Sequence, residues 1–315
     1  MSDLHVIFGT GPVGKSAMRE LLRLGQRVRM INRSGNRSTV PQEVEVIGSD
    51  AYDEAANIRI TQGATAIYQC AQPEYHQWEG NFPRLQSAIM NAAAANGAKF
   101  IVCDNLYMYG ETNGEPISET SPVNPHTKKG KIRKAMAEAV MDAHKSGKVK
   151  VAVGRASNFF GPEDSITGNL IFYPALAGKS PNALGRLDMP HTFSYAPDFG
   201  KALATLGTAG DKALGQVWHI PNAPPVSQSQ FLDALSKAIG KPVKPMVAGP
   251  FLMSVLGLFN PVMKETVEMM YEWQKPFVVD SRKFENAFSM RATPLAQAMS
   301  ESVAWFRSHP KPEKH

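Results

Sequence analysis

The first half of the chain alternates short apolar runs with segments of helical periodicity. Residues 4–9, LHVIFG, form an apolar run that ends in glycine, and residues 15–25, KSAMRELLRLG, carry apolar residues at helical spacing. Further segments continue the pattern, with strands at 27–33, 44–50, 65–71, 99–105 and 149–157 and helices at 82–97 and 131–147. This alternation predicts an α/β fold with a doubly wound parallel sheet.

A glycine-rich stretch joins the first predicted strand to the first predicted helix. Residues 8–16, FGTGPVGKS, place Gly9, Gly11 and Gly14 in G-x-G-x-x-G order. Gly9 would allow a tight turn, Gly11 would admit a pyrophosphate to the backbone, and Gly14 would let the helix approach the strand. The stretch therefore predicts a dinucleotide site on a Rossmann domain, contacted by Gly9, Thr10, Gly11, Pro12, Val13 and Gly14.

The end of the second predicted strand distinguishes between the two nicotinamide cofactors. NAD sites place an Asp or Glu there to bind the ribose hydroxyls, but residues 31–37 read INRSGNR and contain no carboxylate. Arg33 suits the 2′-phosphate of NADP, which it would bind through charge-assisted hydrogen bonds, with Asn32 and Ser34 beside it. NADP(H) is therefore the predicted cofactor, and the alternative is an arginine that only faces water.

The pattern changes after residue 160. Loops rich in proline and glycine occupy 161–190, and the chain beyond 227 is mostly helical. We expect two units: a discontinuous Rossmann domain formed by 1–165 and 190–222, and a smaller, mostly helical substrate lobe formed by 166–189 and 223–315. Because ligands of such sheets bind beyond the carboxyl ends of the strands, the lobe should lie there.

Composition and charge exclude several classes of protein. The 315 residues have a net charge of +6, but Lys and Arg are scattered over amphipathic helices, which disfavours nucleic acid. Cys70 and Cys103 each lie in a buried strand pattern, which fits a reducing cytoplasm. The chain enters a strand within a few residues, so no signal peptide is expected. The apolar stretch 248–262 is too short for a bilayer and predicts a core or interface helix.

These features in this order resemble the extended short-chain dehydrogenase/reductase superfamily, also called the NAD-dependent epimerase/dehydratase family. The resemblance runs along the whole chain and rests on the glycine loop and on GSDAYD (48–53), YQCAQP (68–73), LYMYGE (106–111), GRASNFFGP (154–162), TFSYAPDFGKAL (192–203) and TPLAQAMSESVAWFR (293–307). It implies cofactor contacts by Asp50, Ala71 and Ala156 and a substrate contact by Asn158. It also implies a small-molecule substrate and a homodimer formed through helices 82–97 and 131–147.

The catalytic centre departs from the family pattern of Ser or Thr with Y-x-x-x-K. The Ser/Thr position falls at Asn105. One alignment puts His126 at the tyrosine and Gly130 at the lysine, and another puts Gly130 at the tyrosine and Lys134 at the lysine. Neither recovers both residues, so the chain is identified as an atypical member that lacks the standard triad.

Other groups must then supply the chemistry. Strand alternation would put Asn105 and Tyr107 on one face. We expect Tyr107 to donate a proton, with its pKa lowered by a lysine of 128–134, for which Lys134 is the main candidate, and Asn105 to bind the developing oxyanion. His126 is a second candidate acid or base. The simpler alternatives are a packed Tyr107 and a solvated His126. No histidines have metal-ligand spacing, so no metal is predicted.

The predicted function is NADP(H)-dependent oxidation or reduction of a small molecule, or a related epimerisation. The C-terminal region is rich in Met, Phe, Leu and Trp, which favours an apolar carbonyl compound or activated alkene as substrate. The alternative is a non-catalytic NADP-binding sensor, suggested by the missing tyrosine–lysine pair.

Overall fold

Parallel strands form the centre of the molecule, as the alternating pattern predicted. The structure is a computed structural model that describes residues 2–249 and 261–311. The seven strands of the main sheet are β1 (Leu4–Phe8), β2 (Arg27–Asn32), β3 (Glu45–Gly48), β4 (Ala64–Gln69), β5 (Lys99–Asp104), β6 (Val151–Arg155) and β10 (Gln216–His219). Their order is β10-β6-β5-β4-β1-β2-β3, and every pair is parallel. The predicted fold class is confirmed.

The strand order reverses between β1 and β4. From β1 the chain builds outward through β2 and β3, then returns to β4 on the other side of β1. Loops on the two sides of this point leave the sheet in opposite directions, which opens a crevice beyond the carboxyl ends of the strands. The glycine loop follows β1 and residues 70–74 follow β4, so both border this crevice.

Helices cover both faces of the sheet and explain why its strands are apolar on both sides. The helices of this half are α1 (Pro12–Arg23), α2 (Glu54–Ile60), α3 (Trp78–Ala95), α4 (Lys128–Lys145) and, later in the chain, α7 (Ala196–Thr208). Side chains of α1 and α7 pack in one core with alternate residues of β1 and β4, and side chains of α3 and α4 pack in a second core on the opposite face. All five residues of β1 are buried.

Short elements and helices make up most of the C-terminal part. They are β7 (Phe159–Phe160), α5 (Ser165–Thr167), α6 (Tyr173–Leu176), β8 (Asn182–Leu184), β9 (Ser194–Tyr195), α8 (Gln228–Ile239), β11 (Met246–Ala248), α9 (Pro261–Val267), α10 (Arg282–Phe288) and α11 (Leu295–Ser308). A third core joins α8 and α11 to Phe160 and Phe172. Most of the apolar stretch 248–262 lies outside the described residues. No helix in the described part of the chain is long and apolar enough to cross a membrane.

Candidate active site

The glycine loop has the geometry that its sequence predicted. Gly9 adopts φ +108°, and a Cβ atom there would lie 2.8 Å from the backbone nitrogen of Ala71. A Cβ atom on Gly14 would lie 2.2 Å from the carbonyl oxygen of Gly9. Apart from its own atoms, its chain neighbours and the backbone of its own helix, Gly11 has no described atom within 4 Å of its Cβ position, so its backbone is open to an approaching group. This arrangement fits a pyrophosphate at the N-terminus of α1.

The remaining loop residues support that arrangement. Gly11 is the N-cap of α1 and Pro12 is its first residue, where the missing N–H of proline costs no helical hydrogen bond. Val13 is buried in the core beneath α1, and Thr10 is half-buried at the loop. Ala71, half-buried, lies directly against Gly9.

The turn after β2 presents an arginine that is free to bind a ligand. Arg33 is exposed, and its side chain makes no hydrogen bond or ion pair with any described residue. Asn32 is engaged instead, since its Nδ2 donates to the carbonyl of Asn36 at 2.8 Å. Ser34 Oγ accepts from the N–H of Asn36 at 3.3 Å. The turn is therefore held by Asn32 and Ser34, while the Arg33 guanidinium remains available.

Asp50 lies just after the end of the neighbouring strand, β3. Its Oδ1 accepts a hydrogen bond from the N–H of Tyr52 at 3.1 Å. Burial and the Asp50 charge raise the pKa of the Tyr52 hydroxyl, and the Arg33 charge partly opposes them. Arg33, Asp50 and Tyr52 therefore lie near one another at the far side of the glycine loop, where the adenosine half of a dinucleotide would be expected.

A buried ionic network fixes the carboxyl ends of β5 and β6. Asp104 accepts hydrogen bonds from Arg133 Nε at 3.0 Å and from Arg155 Nε at 2.9 Å. Burial alone would raise the pKa of Asp104, but the two guanidinium groups hold it below its ordinary value. Arg155 also donates to the Tyr109 hydroxyl at 2.7 Å, and that hydroxyl lies 2.9 Å from His219 Nε2. Tyr109 is thus part of the scaffold that holds residues 105–110.

The predicted strand geometry of Asn105 and Tyr107 is wrong. The strand β5 ends at Asp104, and Tyr107–Tyr109 forms a 3₁₀ turn, so strand alternation does not apply to these residues. Asn105 Oδ1 accepts the N–H of Tyr107 at 3.2 Å, which bends the chain into the turn. Gly110 ends it with φ +67°, where a Cβ atom would lie 2.2 Å from the carbonyl oxygen of Asn124.

The predicted lysine partner of Tyr107 is also wrong. Lys134 lies on the outer face of α4, 3.8 Å from Glu138, with 41% of its side chain exposed. Among the described residues, the cation that lowers the pKa of the Tyr107 hydroxyl is Arg133. Burial and the charge of Glu272 raise the pKa of the Tyr107 hydroxyl, and a hydrogen bond from Tyr75 and the charge of Arg133 oppose the rise only in part.

Helical geometry explains the change of partner. The residues that α4 buries one turn apart are Lys129 and Arg133, not Lys134. Lys129 is 2% exposed; its Nζ donates to the carbonyl of Tyr75 at 2.7 Å and lies 2.8 Å from Glu265. These contacts tie α4 to the segment after β4 and to α9.

The other predicted site residues stand in different surroundings. His126 is exposed, and its ring packs edge-to-face on Tyr271 with centroids 4.7 Å apart. Ala156 is buried, and its N–H donates to the carbonyl of Asp104 at 3.1 Å. Tyr271 and Lys275 have Y-x-x-x-K spacing, but Lys275 pairs with Glu111 and so does not serve Tyr271.

Asn158 belongs to a buried polar group that the sequence did not predict. Its Nδ2 donates to Glu272 Oε2 at 3.0 Å and lies 3.2 Å from His191 Nε2. The His191 ring stacks on Trp273 with centroids 4.2 Å apart. Glu272 is 2% exposed and its charge acts on Tyr107 and Tyr75, so this group adjoins the turn that follows β5. The one sequence signal was a carboxylate between two aromatic residues, Tyr271 and Trp273, in a mostly apolar region.

Comparison with known proteins finds a family model that matches most of the chain. The model of the NAD-dependent epimerase/dehydratase family matches residues 6–220. A curated relative, "3beta-hydroxysteroid-dehydrogenase/decarboxylase isoform 2" from Arabidopsis thaliana, is 24% identical over 216 residues. The match covers 62% of this chain but only 38% of that relative, so the chain spans well under two thirds of the relative's length.

Solved structures with the same fold cover nearly all of the chain. A dTDP-glucose 4,6-dehydratase from Bacillus anthracis in complex with NAD has a TM-score of 0.79 at 14% identity, covering 98% of this chain and 97% of its own. A UDP-glucose 4-epimerase from Thermotoga maritima with UDP-glucose has a TM-score of 0.79 at 17% identity, covering 97% and 99%. At such identities the likeness concerns the fold.

Proposed function

Because the chain belongs to the NAD-dependent epimerase/dehydratase family, we propose that it is an NADP(H)-dependent oxidoreductase, or a related epimerase, acting on a small hydroxyl or carbonyl compound. The observation that carries the proposal is the glycine loop: Gly9 and Gly14 admit no side chain, and Gly11 is open, beside the crevice of the sheet. A loop with these properties is built for the close approach of a dinucleotide backbone.

Several residues of the chain would hold this cofactor. The loop 9–14 and the N-terminus of α1 would bind the pyrophosphate, Asp50 the adenosine, and Ala71 and Ala156 would line the path toward β5. Arg33 would bind the 2′-phosphate, which gives the preference for NADP. When bound, the cofactor supplies hydride transfer.

The protein's own contribution at the reacting carbon is orientation and hydrogen bonding. The Tyr107 hydroxyl, kept protonated by its raised pKa, would donate a hydrogen bond to the reacting oxygen. Asn158, whose amide nitrogen is engaged with Glu272 and His191, would contact the substrate through its amide oxygen. Asn105, whose Oδ1 is engaged with the Tyr107 N–H, would offer its amide hydrogens. We keep His126, on the exposed side, as the alternative acid or base.

Aromatic residues around Tyr107 and His191 favour an apolar substrate. Trp78 stacks on Tyr107 with ring centroids 6.0 Å apart, and Phe193, Trp273 and Phe277 surround His191. The curated relative is named as a hydroxysteroid dehydrogenase/decarboxylase, which also supports a hydroxylated apolar compound. The two solved structures carry sugar-nucleotide names, so sugar epimerisation is the alternative within the same chemistry.

A second candidate function is a non-catalytic NADP sensor. The observation in its favour is that the two buried cations of α4 do not form a tyrosine–lysine pair. Lys129 binds Glu265, and Arg133 binds Asp104. Incubation with NADPH and a panel of ketones, enals and imines, and with NADP⁺ and secondary alcohols, separates the two. Turnover of a panel member supports the enzyme, and cofactor binding without turnover supports the sensor.

The cofactor preference is tested with Arg33→Ala. Loss of a charge-assisted hydrogen bond costs about 1.5–3 kcal/mol, so NADP affinity should fall more than about tenfold while NAD affinity stays nearly unchanged. Fluorescence titration with both cofactors measures this. Arg37→Ala is the matched control, because Arg37 Nη2 already donates to the carbonyl of Gln42 at 2.9 Å. Equal losses of NADP and NAD in Arg33→Ala would contradict the preference.

A further inference from the structure

The two carboxylate oxygens of Glu272 differ in their hydrogen bonding. It lies in the 3₁₀ turn Met270–Trp273, and its side chain is almost completely buried. Oε2 accepts a hydrogen bond from Asn158 Nδ2 at 3.0 Å. Among the described residues Oε1 is buried and makes no hydrogen bond of ordinary geometry, although the Tyr271 hydroxyl lies close enough to lower the pKa of the carboxyl. A purely structural glutamate would be expected to use both oxygens.

No cation of the described residues compensates this carboxylate. Among the described residues, the groups that act on Glu272 are the Asn158 amide and the Tyr271 hydroxyl. The charge of Glu272 raises the pKa of Tyr75 and of Tyr107, and the charge of Glu268 raises both further. The charge of Arg133 lowers the pKa of Tyr107. Burying an unpaired carboxylate is costly, so groups of this kind are enriched at functional sites.

Asn158 and His191 hold the Glu272 carboxyl in place through its Oε2 atom. Asn158 Nδ2 lies between Glu272 Oε2 and His191 Nε2, 3.2 Å away, and the His191 ring is fixed by stacking on Trp273. This support engages Oε2 and leaves Oε1 without a hydrogen bond of ordinary geometry among the described residues. Tyr271, next to Glu272 in the chain, packs against the core formed by Leu106, Met108 and Tyr109, and the charge of Glu272 acts on Tyr107. The carboxyl therefore lies beside the turn that carries Tyr107.

We infer that Glu272 is the proton-exchanging group of the active site, with Oε1 receiving the proton of a substrate hydroxyl. The inference rests on the proposed function. In alcohol oxidation the substrate O–H bond breaks and an Oε1–H bond forms, the oxygen lone pair becomes the second C–O bond, and the carbon loses hydrogen with its electron pair to an oxidised nicotinamide. Carbonyl reduction reverses each change, and the Glu272 carboxylic acid returns the proton.

The pKa of Glu272 suits a group that both accepts and donates a proton. Burial raises the pKa of Glu272 to about 8, and the Asn158 amide and Tyr271 hydroxyl oppose the rise only in part. A group with a pKa near the working pH is populated in both protonation states and can both accept and donate a proton. Tyr107, whose pKa is raised well above this range, is suited to hydrogen bonding only.

Glu272→Gln tests the inference, since the amide oxygen can still accept from Asn158 but the side chain cannot exchange a proton. With NADP⁺ and a secondary alcohol that the wild type oxidises, kcat should fall about 10²–10⁴-fold with NADP⁺ affinity unchanged, and the low-pH inflection in kcat/KM should disappear. Glu285→Gln, a half-buried glutamate bonded to Ser281, is the matched control and should keep wild-type turnover.

Infrared titration of the protein without ligand gives a readout that needs no turnover. A carboxylic-acid band should disappear around pH 8, remain in Glu285→Gln and be absent from Glu272→Gln. Wild-type turnover by Glu272→Gln, or no titrating band in the wild type, would overturn the role of Glu272 alone. A wild type that binds NADP⁺ and oxidises no alcohol of the panel would overturn the proposed function and this role with it.

Discussion

Tyr107 shows how surroundings change the chemistry of a single residue. Its hydroxyl was expected to be an acid made stronger by a lysine, but burial and the Glu272 charge raise its pKa and keep it protonated. A protonated phenol can stabilise negative charge on a reacting oxygen without giving up its proton. The role we propose for it is therefore hydrogen-bond donation, while Glu272 moves the proton.

Replacing Tyr107 with Phe tests that division of roles. The change removes only the hydroxyl, so the stacking on Trp78 should survive. Loss of one donor to a developing oxyanion costs about 10²–10³ in kcat, and we expect a fall of that size with NADPH affinity intact. Unlike Glu272→Gln, this variant should keep the inflection in the pH profile. Turnover at the wild-type rate would leave Tyr107 as a packed aromatic residue.

The geometry of the glycine loop could be predicted from sequence, but the polar group around Asn158 could be predicted only in part. Gly9, Gly11 and Gly14 are neighbours in the chain, and their roles follow from backbone geometry within one turn. Glu272 lies 114 residues from Asn158, and only the tertiary fold brings them together. Asn158 itself was predicted from the family resemblance, without its partner.

At the scale of elements, α4 illustrates why a helix is easier to predict than its buried face. Its existence followed from apolar spacing, and it runs from Lys128 to Lys145. Its first two turns contain several similar cations, and the pattern favoured Lys134. The buried positions are decided by partners from elsewhere, since Glu265 binds Lys129 and Asp104 binds Arg133.

Contact between β1 and α1 is the element-level basis of the cofactor binding that we propose. Gly14→Val would place a branched side chain where a Cβ atom already lies 2.2 Å from the Gly9 carbonyl oxygen. The loop must open, so NADP binding should be lost while circular dichroism still shows a folded protein. Gly25→Ala is the control: φ +73° makes it destabilising, but it has no neighbour within 4 Å and should bind NADP normally. Unchanged NADP affinity in Gly14→Val would remove the loop from the site.

At the scale of the whole molecule, the sheet could be predicted because each strand and helix carries its own periodic pattern. The C-terminal part is joined by long-range contacts instead, such as the hydrogen bond of Asp280 N–H to the carbonyl of Ile117. The division into a Rossmann domain and a substrate lobe stays a prediction, as does a homodimer formed through α3 and α4. The position of Glu272 depends on how the C-terminal residues pack against β5 and β6.

Burial of Glu272 should make the free energy of unfolding of the whole protein depend on pH. The pKa of Glu272 is about 8 when folded and about 4.5 when unfolded, so the folded state binds the extra proton between these values. The contribution of Glu272 to the free energy of unfolding is fully present below about pH 4.5 and is lost as the pH rises through about 8. Buried His5, with its pKa lowered to about 4, and His191 and His219, lowered to about 3, act oppositely and reduce stability below about pH 6.5.

Comparing the wild type with Glu272→Gln cancels the histidine contributions. The free energy of unfolding of the wild type should decrease relative to the variant by up to about 1.4 kcal/mol per pH unit between about pH 4.5 and about pH 8, and the difference should be constant outside this window. Urea denaturation at a series of pH values measures it. A difference that does not change with pH would mean that Glu272 titrates alike in both states, and the buried carboxyl would then lack the environment on which its proposed role depends.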